Sequence, residues 1–187
     1  MRFLLDTNIL IPLGDSNVQL QPGLAKFVRL ATSKLSEKLM TTRTKDLFPK
    51  PLKVALISIR PCFVEKILSG EKKLEFRRSW AAEPVDVLVI YSSAPTQRIV
   101  ATVNIVSVTE GSPTALWGLA KEKGGGVTRQ LIYDYFAGKK TGFAIEIADV
   151  LEFERPVDPK KVFKDFSPPQ SFRYLDAKDF SKILQQS

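Results

Sequence analysis

Lys72, Lys73, Arg77 and Arg78 gather four cations in one short stretch, with Glu75 set among them and Arg60 a little upstream. Arg60 and Arg77 are each able to grip a phosphate through two parallel N–H bonds, and Lys72 supplies a point charge or, once desolvated, a base. Glu75 beside Lys72 allows two chemistries. An ion pair would hold the lysine protonated and make it a poor nucleophile. Alternatively Glu75 serves as general base while Lys72 stabilises an oxyanion. The same residues also fit a solvated edge strand, where lysines guard against aggregation. The chain holds no histidine, which removes the commonest general base, the Ser–His and Cys–His pairs and imidazole metal ligands. Any catalysis must run on lysine, carboxylates, hydroxyls or tyrosine.

Positioning these groups requires a strand, a helix and a second strand. Val54 to Ile59 is an apolar run that reads as a buried strand. Pro61 suits the first turn of a helix, because its missing N–H costs nothing there. Phe63, Val64, Ile67 and Leu68 form that helix's apolar stripe, and Gly70 suits a left-handed stop. Lys73 to Arg77 then alternates with Leu74 and Phe76 inward, which puts Lys73, Glu75 and Arg77 on the opposite face. Further strands are expected over 85–91, 99–108, 143–153 and 172–175. Helical character appears at both ends of 115–136 and again over 179–184. Gly124-Gly125-Gly126 reads as a flexible loop, since it lacks the preceding strand and Lys-Ser/Thr of a phosphate cradle. Many strands and few helices point to an α+β fold: a small mixed, closed β-barrel with flanking helices and an N-terminal strand–helix extension.

The 187 residues carry 28 Lys and Arg against 20 Asp and Glu, a formal net charge of +8. Such an excess favours phosphate backbones through counterion release and long-range steering. Trp80, Tyr91, Trp117 and Tyr135 are candidates for stacking a base, or else pack the core. Trp80, directly after Arg77-Arg78-Ser79, is the favoured exception to core packing. A single cysteine, Cys62, excludes an internal disulfide framework and a Cys-rich zinc site. No apolar run is long enough to span a membrane, and a cytoplasmic protein is expected. No cofactor or metal is expected in the body of the chain.

The run Ile57 through Trp80 closely resembles the signature of the ASCH superfamily, whose fold is a PUA-like β-barrel. The resemblance rests on Ser58-Ile59-Arg60-Pro61, on Ile67-Leu68-Ser69-Gly70 and on Glu71-Lys72-Lys73-Leu74-Glu75-Phe76-Arg77-Arg78. It continues through Tyr91-Ser92-Ser93-Ala94-Pro95, Tyr135-Phe136-Ala137-Gly138 and Gly142-Phe143-Ala144-Ile145, over roughly residues 52–185. It implies an RNA or nucleotide-like ligand in a cleft beside the first helix, with Arg60, Lys72, Lys73, Arg77, Arg78, Trp80, Tyr91 and Ser92 as the binding set. One branch deacylates acetylated cytidine, and other members have been linked to RNA cleavage. For a hydrolase of either kind, Lys72 and Glu75 are the catalytic pair. Lys72 matches the amidohydrolase lysine, but Glu75 stands where that branch has threonine, and Glu122 only loosely matches its distant glutamate.

Residues 1–31 form a separate piece. Met1 to Leu13 (MRFLLDTNILIPL) resembles the first strand and turn of a PIN nuclease domain, with Asp6 as the first acidic metal ligand. A lone Asp6 cannot build a two-metal centre, so no nuclease activity is expected of this fragment. Its apolar face must be covered by the barrel, another copy or a protein partner, which leaves an antitoxin-like or regulatory role open. Residues 32–51 read as a polar linker and 52–187 as the ASCH domain.

Overall fold

A computed structural model describes residues 51–187. The PIN-like fragment and all of the linker but Pro51 lie outside the described residues. Six strands follow one another as β1 (Val54–Ile59), β2 (Leu74–Arg77), β3 (Val87–Ser92), β4 (Arg98–Gly111), β5 (Gly142–Val157) and β6 (Arg173–Leu175). The helices are α1 (Pro61–Leu68), α2 (Pro113–Lys123), α3 (Arg129–Tyr135), α4 (Pro159–Val162) and α5 (Ala177–Gln186). No helix among them is long and apolar enough to cross a membrane.

The strands form one mixed sheet in the order β2-β5-β4-β3-β1-β6. β1 runs parallel to β3, and the other pairs are antiparallel. The long β4 and β5 stay paired from Ile99–Val157 to Gly111–Gly142, through three shifts of register. Such shifts bend and twist a ribbon, so one pair of strands turns from one side of the fold to the other. The closed barrel expected from the sequence is corrected here: β2 and β6 end the ladder without pairing. β6 has only three residues and already pairs with β1, so no free backbone edge of useful length faces β2. A side chain bridges the gap. Arg77 on β2 donates from Nη2 to the Ser58 carbonyl on β1 at 2.9 Å and from Nη1 to the Ser171 carbonyl ahead of β6 at 3.1 Å.

Strand alternation sorts the core by face. Leu56, Val87, Val89 and Tyr91 pack beneath α4 and α5 with Phe163, Phe180 and Ile183. Ala55, Ile57, Leu88 and Ile90 face the other way, against Val64 and Ile67 of α1. Leu74, Phe76 and Ala144 meet Leu116, Ile132 and Phe136 under α2 and α3. α1 begins with Pro61 at its first turn, and Gly70 beyond its end sits at φ +78°, as the Pro and Gly positions require.

Close packing makes two glycines respond oppositely. A Cβ on Gly142 would fall 2.0 Å from the Phe136 ring, whereas one on Gly118 meets nothing within 4 Å. Gly142→Ala should lower stability by about 1–3 kcal/mol through overpacking. Gly118→Ala, on an exposed position of α2, should raise it by about 0.5–1 kcal/mol. Thermal denaturation followed by circular dichroism distinguishes the two directions.

Candidate nucleic-acid site

Lys72, Glu75 and Arg77 form the centre of the site, and all three are buried, with 3%, 7% and 6% of their surface exposed. β2 does end the sheet, but the solvated face expected of an edge strand fails for Glu75 and Arg77. β2 is covered on both faces: Leu74 and Phe76 sit under α2 and α3, and Arg77 on the polar face reaches Ser58 near the end of β1 and Ser171 in the segment before β6. Glu75 stands between the cations. Its Oε1 is 3.1 Å from Arg77 Nη2, and its Oε2 is 3.6 Å from Lys72 Nζ.

Each cation is also held by backbone carbonyls. Lys72 Nζ donates to Leu74 O at 2.5 Å and Gly125 O at 3.2 Å. It lies over the Phe76 and Phe63 rings, 4.9 and 5.4 Å from their centroids. Burial pushes the Lys72 pKa below its ordinary value, Glu75 opposes that shift, and Arg77 and Lys66 add to it. Arg77 satisfies its two Nη groups on Glu75, Ser58 and Ser171, while its buried Nε–H finds no partner among the described residues.

The triple glycine is a packed wall over Lys72, which corrects its reading as a flexible loop. Gly124 at φ +83° caps α2, Gly125 is buried, and Gly126 at φ +63° lies against the Lys72 stem. A Cβ at Gly126 would stand 2.7 Å from Lys72 Cβ, and one at Gly125 2.6 Å from Ala120 Cβ. Only glycine lets this backbone come close enough for Gly125 to accept from Lys72. The run was visible in the sequence, but the partner it packs against lay 54 residues away from Gly126, at Lys72.

The remaining expected residues separate. Arg60 and Lys73 are exposed, and Arg60 caps nothing with its side chain. Arg78 is exposed but committed: it donates to Tyr135 O at 3.0 Å and Ala137 O at 3.1 Å, a cation on the last carbonyls of α3. Trp80 is half-buried against Phe172, with ring centroids 5.3 Å apart. Tyr91 and Ser92 are buried in β3, which lies between β1 and β4, and the Tyr91 ring packs on Phe166 on the α4–α5 side. Buried as it is against Phe166, Tyr91 has its base-stacking role corrected to a core role.

Tyr135 joins the site more closely than its sequence position suggests. Its side chain is 41% exposed, and burial of part of the ring pushes its phenol pKa up, with Arg77 opposing and Glu75 reinforcing. Glu122, the loose match to a distant catalytic glutamate, is exposed on α2 and is not among the charges acting on Lys72. Among the described residues no three His, Cys, Asp or Glu side chains gather as a metal-binding group.

Two consequences are measurable. Glu75→Gln leaves two buried cations facing each other, and denaturant unfolding should show a loss of about 3–5 kcal/mol. The Lys72 shift gives the second. Because its folded pKa lies below the unfolded value, the unfolded chain binds more protons in the window between the two, and stability attributable to Lys72 rises with pH there. The pH dependence of unfolding should therefore differ between wild type and Lys72→Met. Wild type should gain relative to the variant as pH approaches about 10 from the Lys72 folded pKa. A constant difference would show that burial leaves Lys72 unshifted.

Residues 57–157, more than half of the chain, match the ASCH domain. An ASCH domain-containing ribonuclease of Zymomonas mobilis subsp. mobilis is 27% identical over 139 residues, covering 71% of this chain and 90% of that protein. The crystal structure of ASCH from Zymomonas mobilis is similar with a TM-score of 0.66 at 27% identity, covering 71% of this chain and 94% of the other. A mutant of that protein gives the same TM-score at 26% identity, over 71% of this chain and 97% of the other. With the family's domain spanning residues 57–157, from β1 through β5, the chain belongs to the ASCH domain family.

Proposed function

We propose that this chain binds single-stranded RNA at the mouth of the Lys72–Glu75–Arg77 centre. The observation that carries this reading is the charge balance of the buried triad. With Lys72 protonated, two cations share one carboxylate in a desolvated place, while Lys73, next to Lys72 in the chain, and Arg60 at the start of α1 are exposed. A phosphate at the mouth offsets the excess positive charge, and the overall charge of +8 steers a polyanion toward it. Tyr135, partly exposed beside Glu75 and Arg77, offers an aromatic edge to a nucleotide there.

A second reading, cleavage of that RNA, is favoured by the lowered pKa of Lys72 and by the Zymomonas mobilis relative named a ribonuclease. In its neutral form Lys72 could take the proton from a ribose 2′-hydroxyl as that oxygen attacks the adjacent phosphorus. As the O2′–P bond forms the P–O5′ bond breaks to leave a 2′,3′-cyclic phosphate, water gives the 5′-oxygen its proton, and Arg77 would stabilise the charge on the phosphoryl oxygens. The carboxylate at position 75 departs from the threonine of the cytidine-deacylating branch, which weighs against amide hydrolysis.

Fluorescence anisotropy with short single-stranded RNAs tests the first reading. Affinity should fall steeply with salt, and Arg60→Ala or Lys73→Ala should each reduce the log–log salt slope by about 1. Undetectable binding at low salt defeats the proposal. Cleavage is separated by Lys72→Arg, which keeps the positive charge but cannot give up its proton, and should abolish strand scission while leaving RNA affinity within about threefold.

A further inference from the structure

A groove of about 630 Å³ lies on the other side of the wall that encloses Lys72. Arg60, Cys62 and Phe63 form one flank, from the start of α1. The glycine loop with Val127 and Leu131 forms the other, running into α3. Its size is that of a small-ligand site, which typically spans roughly 300–1,000 Å³.

The lining has two chemical parts. Phe63, Val127 and Leu131 present apolar surface, and Leu131 is an exposed leucine, 44% accessible. Two lysines near the groove are already engaged: Lys66 Nζ is held by Glu71 at 2.9 Å and by Gly126 O at 3.1 Å, and Lys72 is held within the wall. Exposed Arg60, whose side chain caps nothing, is the cation left to meet an anion. A flat apolar body with a phosphate at one end satisfies both parts.

The groove also shares wall residues with the centre. Phe63 lines it and lies within cation–π distance of Lys72, Gly125 lines it and accepts from Lys72, and Gly126 lines it and packs on the Lys72 stem.

We propose that the groove is a second nucleotide subsite, taking an unpaired base against Phe63, Val127 and Leu131 with its phosphate on Arg60. This rests on the RNA-binding reading and sharpens it. A base can enter such a groove only when it is splayed from its neighbours, so the subsite selects single-stranded over duplex RNA. Its occupant is the nucleotide next to the one at the mouth of the triad, and shared contacts with Lys72 couple the two positions.

Cys62 gives a direct readout, being the chain's one cysteine, exposed and on the groove's flank. Its alkylation by a small maleimide would be timed with and without saturating short single-stranded RNA, with anisotropy measured in parallel on the same samples. RNA should slow alkylation by roughly tenfold, and duplex RNA of equal length should not. Arg60→Ala and Leu131→Glu, both at exposed positions, should lift the protection and weaken RNA binding by about tenfold, the scale of one stacked base. RNA that binds while Cys62 reacts at its free rate overturns the subsite and leaves the RNA-binding reading standing. Protection that persists equally in both variants also overturns it, by placing the shielding elsewhere. Absence of RNA binding overturns both.

Discussion

The fold depends on keeping one carboxylate between two buried cations. Removing Lys72, Glu75 and Arg77 from water costs several kcal/mol per ion, and their mutual attraction repays that only with good geometry and further hydrogen bonds. Those bonds come from carbonyls that the tertiary structure delivers: Leu74 and Gly125 for Lys72, Ser58 and Ser171 for Arg77. Each carbonyl belongs to a different element. The triad therefore ties together β1, β2, the glycine loop and the segment before β6. The bond from Arg77 across the unpaired edges does what a closing ladder would have done.

The same arrangement prepares a site. A buried charge cluster that is one cation in excess favours an anion, and a lysine whose pKa burial lowers is closer to giving up its proton. Structural and functional demands on these residues coincide, as they do where strain and polarity are kept for chemistry. The glycine run belongs to this economy of space. Its lack of side chains lets a backbone carbonyl reach Lys72 and also leaves a thin wall between the lysine and the groove outside.

Much of the architecture was legible in the residues. The apolar run at Val54–Ile59, the Pro61-to-Gly70 helix and the alternation at Leu74–Phe76 each became the element their patterns indicate. So did the two helices on either side of the triple glycine. These elements are local, set by periodicity and by backbone chemistry at single positions. Strand closure was not legible. Whether β2 meets β6 depends on the length of a three-residue edge strand and on the register shifts of β4 and β5, which no short window contains.

The site divides along the same line. By itself the sequence determined that cations, a carboxylate and a helix turn would lie together around Lys72 and Arg77, because seven consecutive positions cannot separate far. Only the tertiary structure decided which of those charges face water. Burial is a property of what packs on top: the glycine loop and Phe63 of α1 cover Lys72, and β1 and the segment around Ser171 hold Arg77, while Arg60 and Lys73 stay outside. It likewise moved Tyr91 into the core and committed Arg78 to the end of α3. Residue type fixes the charge a side chain can carry; the dielectric around it, and hence its chemistry, is set by neighbours distant in the chain.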